Sequence, residues 1–342
     1  MPASTVVASR IAGRFVVESV AGVGGMGTVY RAHDEQTGQT VALKLIHASD
    51  KAHVTERFVR EAELLAELRH PGIVAYLAHG VIETGEAYLA MEWLEGEVLS
   101  RRLARGALSL PESLTLLRRA AEALALAHER GVVHRDLKPS NLLLRDGRAE
   151  RVALLDFGIA RLTAVSQVMT RTGMVMGTPG YMAPEQARGE RDVTRAADVF
   201  SLGCVLFECL TGQPPFAADH LMAVLARIFF DEPPKLRRVR PEMPEAVEAL
   251  LEKMLAKSAA DRLPDAAALL AALDDLDDAR SAPPGSARTA TAAPGAGEIG
   301  RAQALSARAP SVGGEQHLLS VLMATPPAGA RGAELARRDD GG

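Results

Sequence analysis

Ala21-Gly22-Val23-Gly24-Gly25-Met26-Gly27-Thr28-Val29-Tyr30 sets glycines at 22, 24 and 27 in the spacing GxGxxG. A Cβ at such positions would block both a tight turn and the approach of backbone amides to a phosphate, which is why glycine recurs in phosphate-cradling loops. The pattern alone fits a dinucleotide-binding turn, a loop laid over a nucleoside triphosphate, or a hairpin that binds nothing. The flanks separate these readings. A dinucleotide turn leaves a strand and opens a helix. Here the glycines run into the β-branched and aromatic Thr28, Val29 and Tyr30, and they follow the strand-like Arg14-Phe15-Val16-Val17-Glu18-Ser19-Val20. No Gly-Lys-Ser or Gly-Lys-Thr follows, so the P-loop reading fails as well. The local fold is strand, glycine-rich loop, strand.

Outward from this hairpin, short strand-like runs dominate from Arg14 to about Leu94, interrupted by one helical stretch from about Thr55 to Leu68. That helix carries Phe58, Leu64, Leu65 and Leu68 at core-facing spacings, and Pro71 ends it. After Gly96 the pattern turns helical: Pro111-Glu112-Ser113 is a helix start, and the periodic run from Leu114 to His128 meets its stop at Gly131. The expected architecture is α+β, a small β-rich lobe followed by a larger helical one. From residue 276 to 342 the composition shifts to Ala, Gly, Pro, Ser and Arg, with too little bulky apolar surface to offset ordering entropy, so a disordered tail is expected.

With 342 residues and 47% of them hydrophobic, the chain has room for two lobes and a sizeable core. A net charge of -4 gives no nucleic-acid footprint. The two cysteines, Cys204 and Cys209, share the apolar run from Val199 to Leu210, which reads as a buried helix in a reducing compartment and not as a metal site or disulfide. The N-terminal MPASTVVASRIAG lacks the charged region and apolar core of a signal peptide, and no apolar run is long enough to span a bilayer. A cytoplasmic protein without a transmembrane segment is expected.

Chemistry-bearing residues follow in order: Val41-Ala42-Leu43-Lys44; Glu61 in the helical stretch; His134-Arg135-Asp136-Leu137-Lys138-Pro139-Ser140-Asn141; Asp156-Phe157-Gly158; and Ala183-Pro184-Glu185. Each is unremarkable singly, but their joint order and spacing resemble the eukaryotic-like (Hanks-type) serine/threonine protein kinases of bacteria, over residues 11–275. The resemblance implies a bilobal protein-kinase fold, with an N-lobe to about residue 94 and a C-lobe from 95 to 275. It also implies transfer of the ATP γ-phosphoryl to serine or threonine hydroxyls of proteins, with a pseudokinase scaffold or a small-molecule kinase as the alternatives.

Phosphoryl transfer leaves the protein mainly positioning and charge compensation. By resemblance, the backbone of Gly22, Val23, Gly24, Gly25, Met26 and Gly27 covers the triphosphate, and Lys44 meets the α- and β-phosphates while paired with Glu61. Asn141 and Asp156 hold Mg²⁺, with Mn²⁺ as a substitute, because hard cations take oxygen ligands. Asp136 orients and deprotonates the acceptor hydroxyl, Lys138 stabilises the moving phosphoryl, and Thr178 contacts both. Val29, Ala42 and Leu143 sandwich the adenine, Met91 closes the back of its pocket, and backbone groups of Glu92 and Leu94 bond the ring. Thr170 and Thr172 are the expected autophosphorylation sites, bound by Arg135 once phosphorylated. Glu185 is expected to pair with Arg262, and Asp198 to anchor the catalytic loop. The expected partners are protein substrates and the chain itself, with dimerisation left open.

Overall fold

A computed structural model describes residues 10–24, 27–46, 51–157, 179–190 and 192–281, with side chains left undescribed at 51–58 and 279–281. The N-terminal part is a six-stranded antiparallel sheet in the order β1-β2-β3-β4-β6-β5: β1 (Arg10–Ile11), β2 (Phe15–Gly24), β3 (Gly27–Asp34), β4 (Gln39–Ile46), β5 (Tyr76–Val81) and β6 (Ala87–Glu92). The glycine-rich stretch is the tip of the β2–β3 hairpin, where Gly24 pairs with Gly27. Gly27 cannot be replaced without distortion: it holds a φ of 155°, and a Cβ there would lie 1.9 Å from the Leu45 carbonyl oxygen. Gly25 and Met26 lie outside the described residues.

The period-two geometry of β4 sorts its side chains between two cores. Val41 and Leu43 join Phe15, Ala32 and Ala90 in a small cluster on one face. Ala42 and Ile46 face the main core, which runs continuously into the helical lobe, and Lys44 shares their face. Between the start of β2 and the end of β3, Arg14 grips the buried Asp34 with two hydrogen bonds of 2.6 Å, which hold that carboxyl far below the usual range.

Helix α1 (Lys51–Glu67) packs on β5 and β6. Leu65 and Leu68 are buried as expected, but Leu64 is 42% exposed. Adjacent helical residues are about 100° apart, so Leu64 and Leu65 cannot both face inward; Ala62, Leu65 and Leu68 define the buried stripe.

The C-terminal lobe is helical around a small sheet, β7 (Glu97–Val98), β8 (Leu142–Leu144) and β9 (Val152–Leu154). Among the described residues its helices are α2 (Leu99–Leu103), α3 (Leu110–Glu129), α4 (Pro184–Ala187), α5 (Ala196–Thr211), α6 (Leu221–Phe230), α7 (Leu236–Val239), α8 (Glu245–Met254) and α9 (Ala266–Ser281). The start of α3 is fixed by a capping box: the Glu112 N–H donates to Ser109 Oγ, and the Ser109 N–H donates back to Glu112 Oε2. Gly131, with a φ of 76°, takes the left-handed turn after its end. Helix α5 is buried almost throughout, Cys204 and Cys209 included.

Helix α9 corrects the expected boundary at 276. It continues to Ser281, buries Leu276, and is held by Arg118 of α3, whose guanidinium bonds Asp274 (2.6 Å) and Asp277 (2.9 Å). The rest of the expected tail, 282–342, lies outside the described residues.

Candidate active site

The facing surfaces of the two lobes meet where the Ile73 backbone bridges Leu154 of β9, and there the sequence-predicted residues converge. Lys44 points from the sheet toward Asp156, its Nζ 2.9 Å from Asp156 Oδ1, with both side chains largely buried. The contact is an ion pair by distance but lacks hydrogen-bond directionality, so Asp156 Oδ1 is buried without a hydrogen-bond partner among the described residues. Asp156 also holds a left-handed φ of 51°, a strained conformation of the kind that persists where surrounding structure enforces it. Its neighbours enforce it: the Phe157 N–H donates to the buried Tyr76 hydroxyl (3.3 Å), and the Leu155 N–H donates to the Asn141 carbonyl (2.9 Å).

The loop from His134 to Asn141 forms the opposite wall. Lys138 Nζ donates to Asp136 Oδ2 at 2.9 Å, and Asn141 Nδ2 donates to the same oxygen at 3.0 Å and to the Asp136 carbonyl at 2.7 Å. With its NH₂ used in this way, Asn141 turns Oδ1 inward, buried and without a hydrogen-bond partner among the described residues. Two buried oxygens, one on a carboxylate met only by the Lys44 ammonium and one on an amide without a donor among the described residues, suit a hard cation that keeps other oxygen ligands from phosphates and water. Among the described residues no cluster of three His, Cys, Asp or Glu side chains forms a cage for a metal.

Beneath the loop, the fully buried Asp198 of α5 accepts from the His134 N–H (2.7 Å), the Arg135 N–H (2.8 Å) and His128 Nε2 (2.9 Å). The Ala266 N–H donates to His128 Nδ1, which assigns the proton on that ring to Nε2. His134 is similarly committed, with Nε2 bonded to the Leu155 carbonyl and Nδ1 facing the Asp136 N–H; burial pushes its pKa below the ordinary imidazole value. Glu185 and Arg262 form the expected buried pair, bidentate at 2.7 and 2.8 Å.

The residues expected around the adenine are apolar and buried: Met91, Ala42 and Leu143 fully, Val29 and Leu94 nearly so, and Ala42 pairs with Met91 across β4 and β6. The Glu92 N–H donates to the Ala75 carbonyl, so what Glu92 can offer a ring is its own carbonyl. The Glu92 side chain is shared between the Ala75 N–H (2.9 Å) and Arg145 of the helical lobe (3.3 Å), a tie between lobes that no local sequence signal marks. On α1, Glu61 is half-buried while Glu63 and Glu67 are exposed. Thr170, Thr172 and Thr178 lie outside the described residues.

The family described as the protein kinase domain matches residues 15–272. The chain belongs to the protein kinase family. Its relatives include the serine/threonine-protein kinase PknA of Mycobacterium tuberculosis, 41% identical over 75% of this chain and 59% of PknA. The DNA damage-responsive serine/threonine-protein kinase RqkA of Deinococcus radiodurans is 40% identical over 77% of this chain and 39% of its own length. This chain therefore spans between about two fifths and three fifths of these two relatives. Among solved structures, Rad53 1–466 in complex with AMP-PNP is 29% identical with a TM-score of 0.62, covering 76% of this kinase and 64% of that chain. The bilobal kinase fold expected from the motifs is the one observed. Among the described residues, no helix is long and apolar enough to cross a membrane.

Proposed function

We propose that this kinase transfers the γ-phosphoryl of ATP to serine or threonine hydroxyls of proteins. The observation that carries the reading is the pairing of Lys44 with Asp156 opposite the Asp136–Lys138–Asn141 cluster, with the buried Asn141 Oδ1 left without a donor among the described residues. Lys44 neutralises the α- and β-phosphates, with Glu61 as its further carboxylate partner, and the backbone of the β2–β3 tip covers them. Asp136, held by Lys138 and Asn141, receives the acceptor proton, while Lys138 offsets charge on the transferring group. Asn141 Oδ1 and Asp156 are the ligands proposed for Mg²⁺, which supplies neutralisation of the phosphate oxygens when bound. Val29, Ala42, Met91, Leu94 and Leu143 line the base pocket, an arrangement supported by the likeness to a kinase in complex with the ATP analogue AMP-PNP. Relatives named as serine/threonine-protein kinases support the acceptor class. The cytoplasm supplies both ATP and Mg²⁺.

The deciding experiment incubates the purified protein with labelled ATP, Mg²⁺ and a panel of protein acceptors. Wild type is expected to label serine and threonine, and Asp136→Asn to lose about 10²–10⁴-fold, the range for removing a general base. A wild type that binds ATP but transfers nothing is a scaffold.

Regulation by autophosphorylation is the second part of the proposal. Thr170 and Thr172 flank Arg171, and Arg135 directly precedes Asp136. A phosphothreonine brings about -1.5 to -2 charge and acceptor oxygens suited to a bidentate guanidinium. Protein co-expressed with a phosphatase should gain phosphate at Thr170 or Thr172 on exposure to ATP, as read by mass spectrometry, and its activity should rise in step. If the Thr170→Ala/Thr172→Ala double variant phosphorylates an external acceptor as fast as ATP-treated wild type, the switch lies elsewhere.

A further inference from the structure

Asp136 depends on a backbone that is clamped from several sides. Arg135, one residue before it, holds a left-handed φ of 64°, unfavourable for any residue bearing a Cβ and stable only if its neighbours enforce it. Its N–H is taken by Asp198 at 2.8 Å, and the following N–H, that of Asp136, faces His134 Nδ1 at 3.3 Å. Both partners belong to motifs recognised in the sequence. The third partner does not: the Arg135 carbonyl accepts from Gln186 Nε2 at 3.0 Å, across 51 residues of chain.

The Gln186 amide is used at both ends. While Nε2 donates to Arg135, Oε1 accepts from the Ala183 N–H at 3.1 Å, at the opening of α4. The two bonds fix the amide orientation, since a flipped group would set NH₂ against N–H and oxygen against oxygen. The segment that carries Gln186 is itself anchored. Ser201 Oγ donates to the Tyr181 carbonyl at 2.8 Å, Tyr181 donates to Glu208 at 2.6 Å, and Glu185 is locked to Arg262. A side chain held this way transmits the position of α4 to the peptide unit immediately before Asp136.

We propose that Gln186 is a positioning residue for phosphoryl transfer, its amide donor holding the Arg135 carbonyl so that Asp136 is presented at the angle the acceptor requires. The inference rests on the kinase reading above. Gln186 has no part in holding nucleotide, so its loss should act on the transfer step and spare ATP binding. Glutamine is required because the site needs a donor and an acceptor on one planar group of this length. A carboxylate keeps the bond to the Ala183 N–H but sets a second oxygen against the Arg135 carbonyl. Protonation would restore a donor there. Glu185 is bonded to Arg262, and Asp198 to backbone N–H groups and His128, so neither carboxylate can supply a donor in its place.

Wild type, Gln186→Glu, Gln186→Met and Asp136→Asn are compared for kcat, KM for ATP and melting temperature across the pH range in which wild type stays folded. At neutral pH both Gln186 variants should lose about 10- to 100-fold in kcat, since small misplacements of a reacting group cost that much, with KM for ATP within about twofold. The deficit of Gln186→Glu relative to wild type should shrink as pH falls and its carboxyl protonates, while that of Gln186→Met should not change. Values of kcat within about twofold of wild type, or an equal and pH-independent loss in both variants, would overturn the role of the amide donor. A wild type without transfer, alongside an equally silent Asp136→Asn, would instead overturn the kinase reading.

Discussion

Asp156→Asn should bring phosphoryl transfer to background while leaving the melting temperature within a few degrees of wild type. The substitution is close to isosteric, and asparagine is among the residues most tolerant of the left-handed φ of 51° held at this position, so the backbone has no reason to move. What disappears is one negative charge at a point 2.9 Å from Lys44 and within a largely buried cleft. Without it Lys44 loses a counter-charge, and the proposed cation site keeps only the neutral Asn141 amide. Removing a preorganised charge from such a site costs on the order of 10³-fold, and the loss here should reach at least that. Lys44→Met removes the other half of the pair and should be equally silent. The measurement is transfer by protein purified free of contaminating kinase, with melting followed in parallel. Undiminished transfer by folded Asp156→Asn would remove Asp156 from the proposed site.

Arg262→Met should cause the largest loss of stability among single substitutions away from the cleft, about 3–5 kcal/mol, the range for breaking a buried ion pair from one side. The Arg262 side chain has no exposed surface and that of Glu185 only 7%. Besides the two bonds to Glu185, its guanidinium donates to the carbonyls of Ala256 (2.6 Å) and Lys257 (2.9 Å) and lies over the Phe200 ring. Methionine fills part of the volume but leaves a carboxylate buried without its cation. Urea unfolding should show a lowered midpoint with little change in slope. Adding Glu185→Leu to Arg262→Met should recover part of the loss, because the stranded charge goes with it. A single-variant loss under about 1 kcal/mol would mean that water reaches Glu185 once the arginine is gone.

Much of this molecule is legible in its sequence because the residues proposed for phosphoryl transfer are of types that such chemistry restricts. Lys44, Asp136, Asn141 and Asp156 lie within short motifs whose gaps reflect strand and loop lengths, and the structure brings them together as the motifs imply. The start of α3 was visible because Pro111, Glu112 and Ser113 lie within its first turn, although the Ser109 cap itself was not read from the sequence. What stayed hidden depends on distant partners. Leu64 and Leu65 are equivalent on a hydropathy scale, and only the sheet packed against α1 decides which one is buried. The extension of α9 to Ser281 is held from Arg118, more than 150 residues earlier, so a reading based on composition stopped too soon. The links from Gln186 to Arg135 and from Arg145 to Glu92 join generic polar residues across long stretches of chain, with no local pattern to announce them.

Helix α5 also gives the molecule a clock. The chain has two thiols, Cys204 and Cys209, both with no exposed surface, and burial pushes their pKa values well above that of a free cysteine. A maleimide or a disulfide reagent meets neither of them until the centre of the helical lobe opens. The rate at which label enters under native conditions therefore counts openings of that centre, and its dependence on reagent concentration separates how often the lobe opens from how long it stays open. Conversely, a cysteine introduced on the surface would be modified against a silent background.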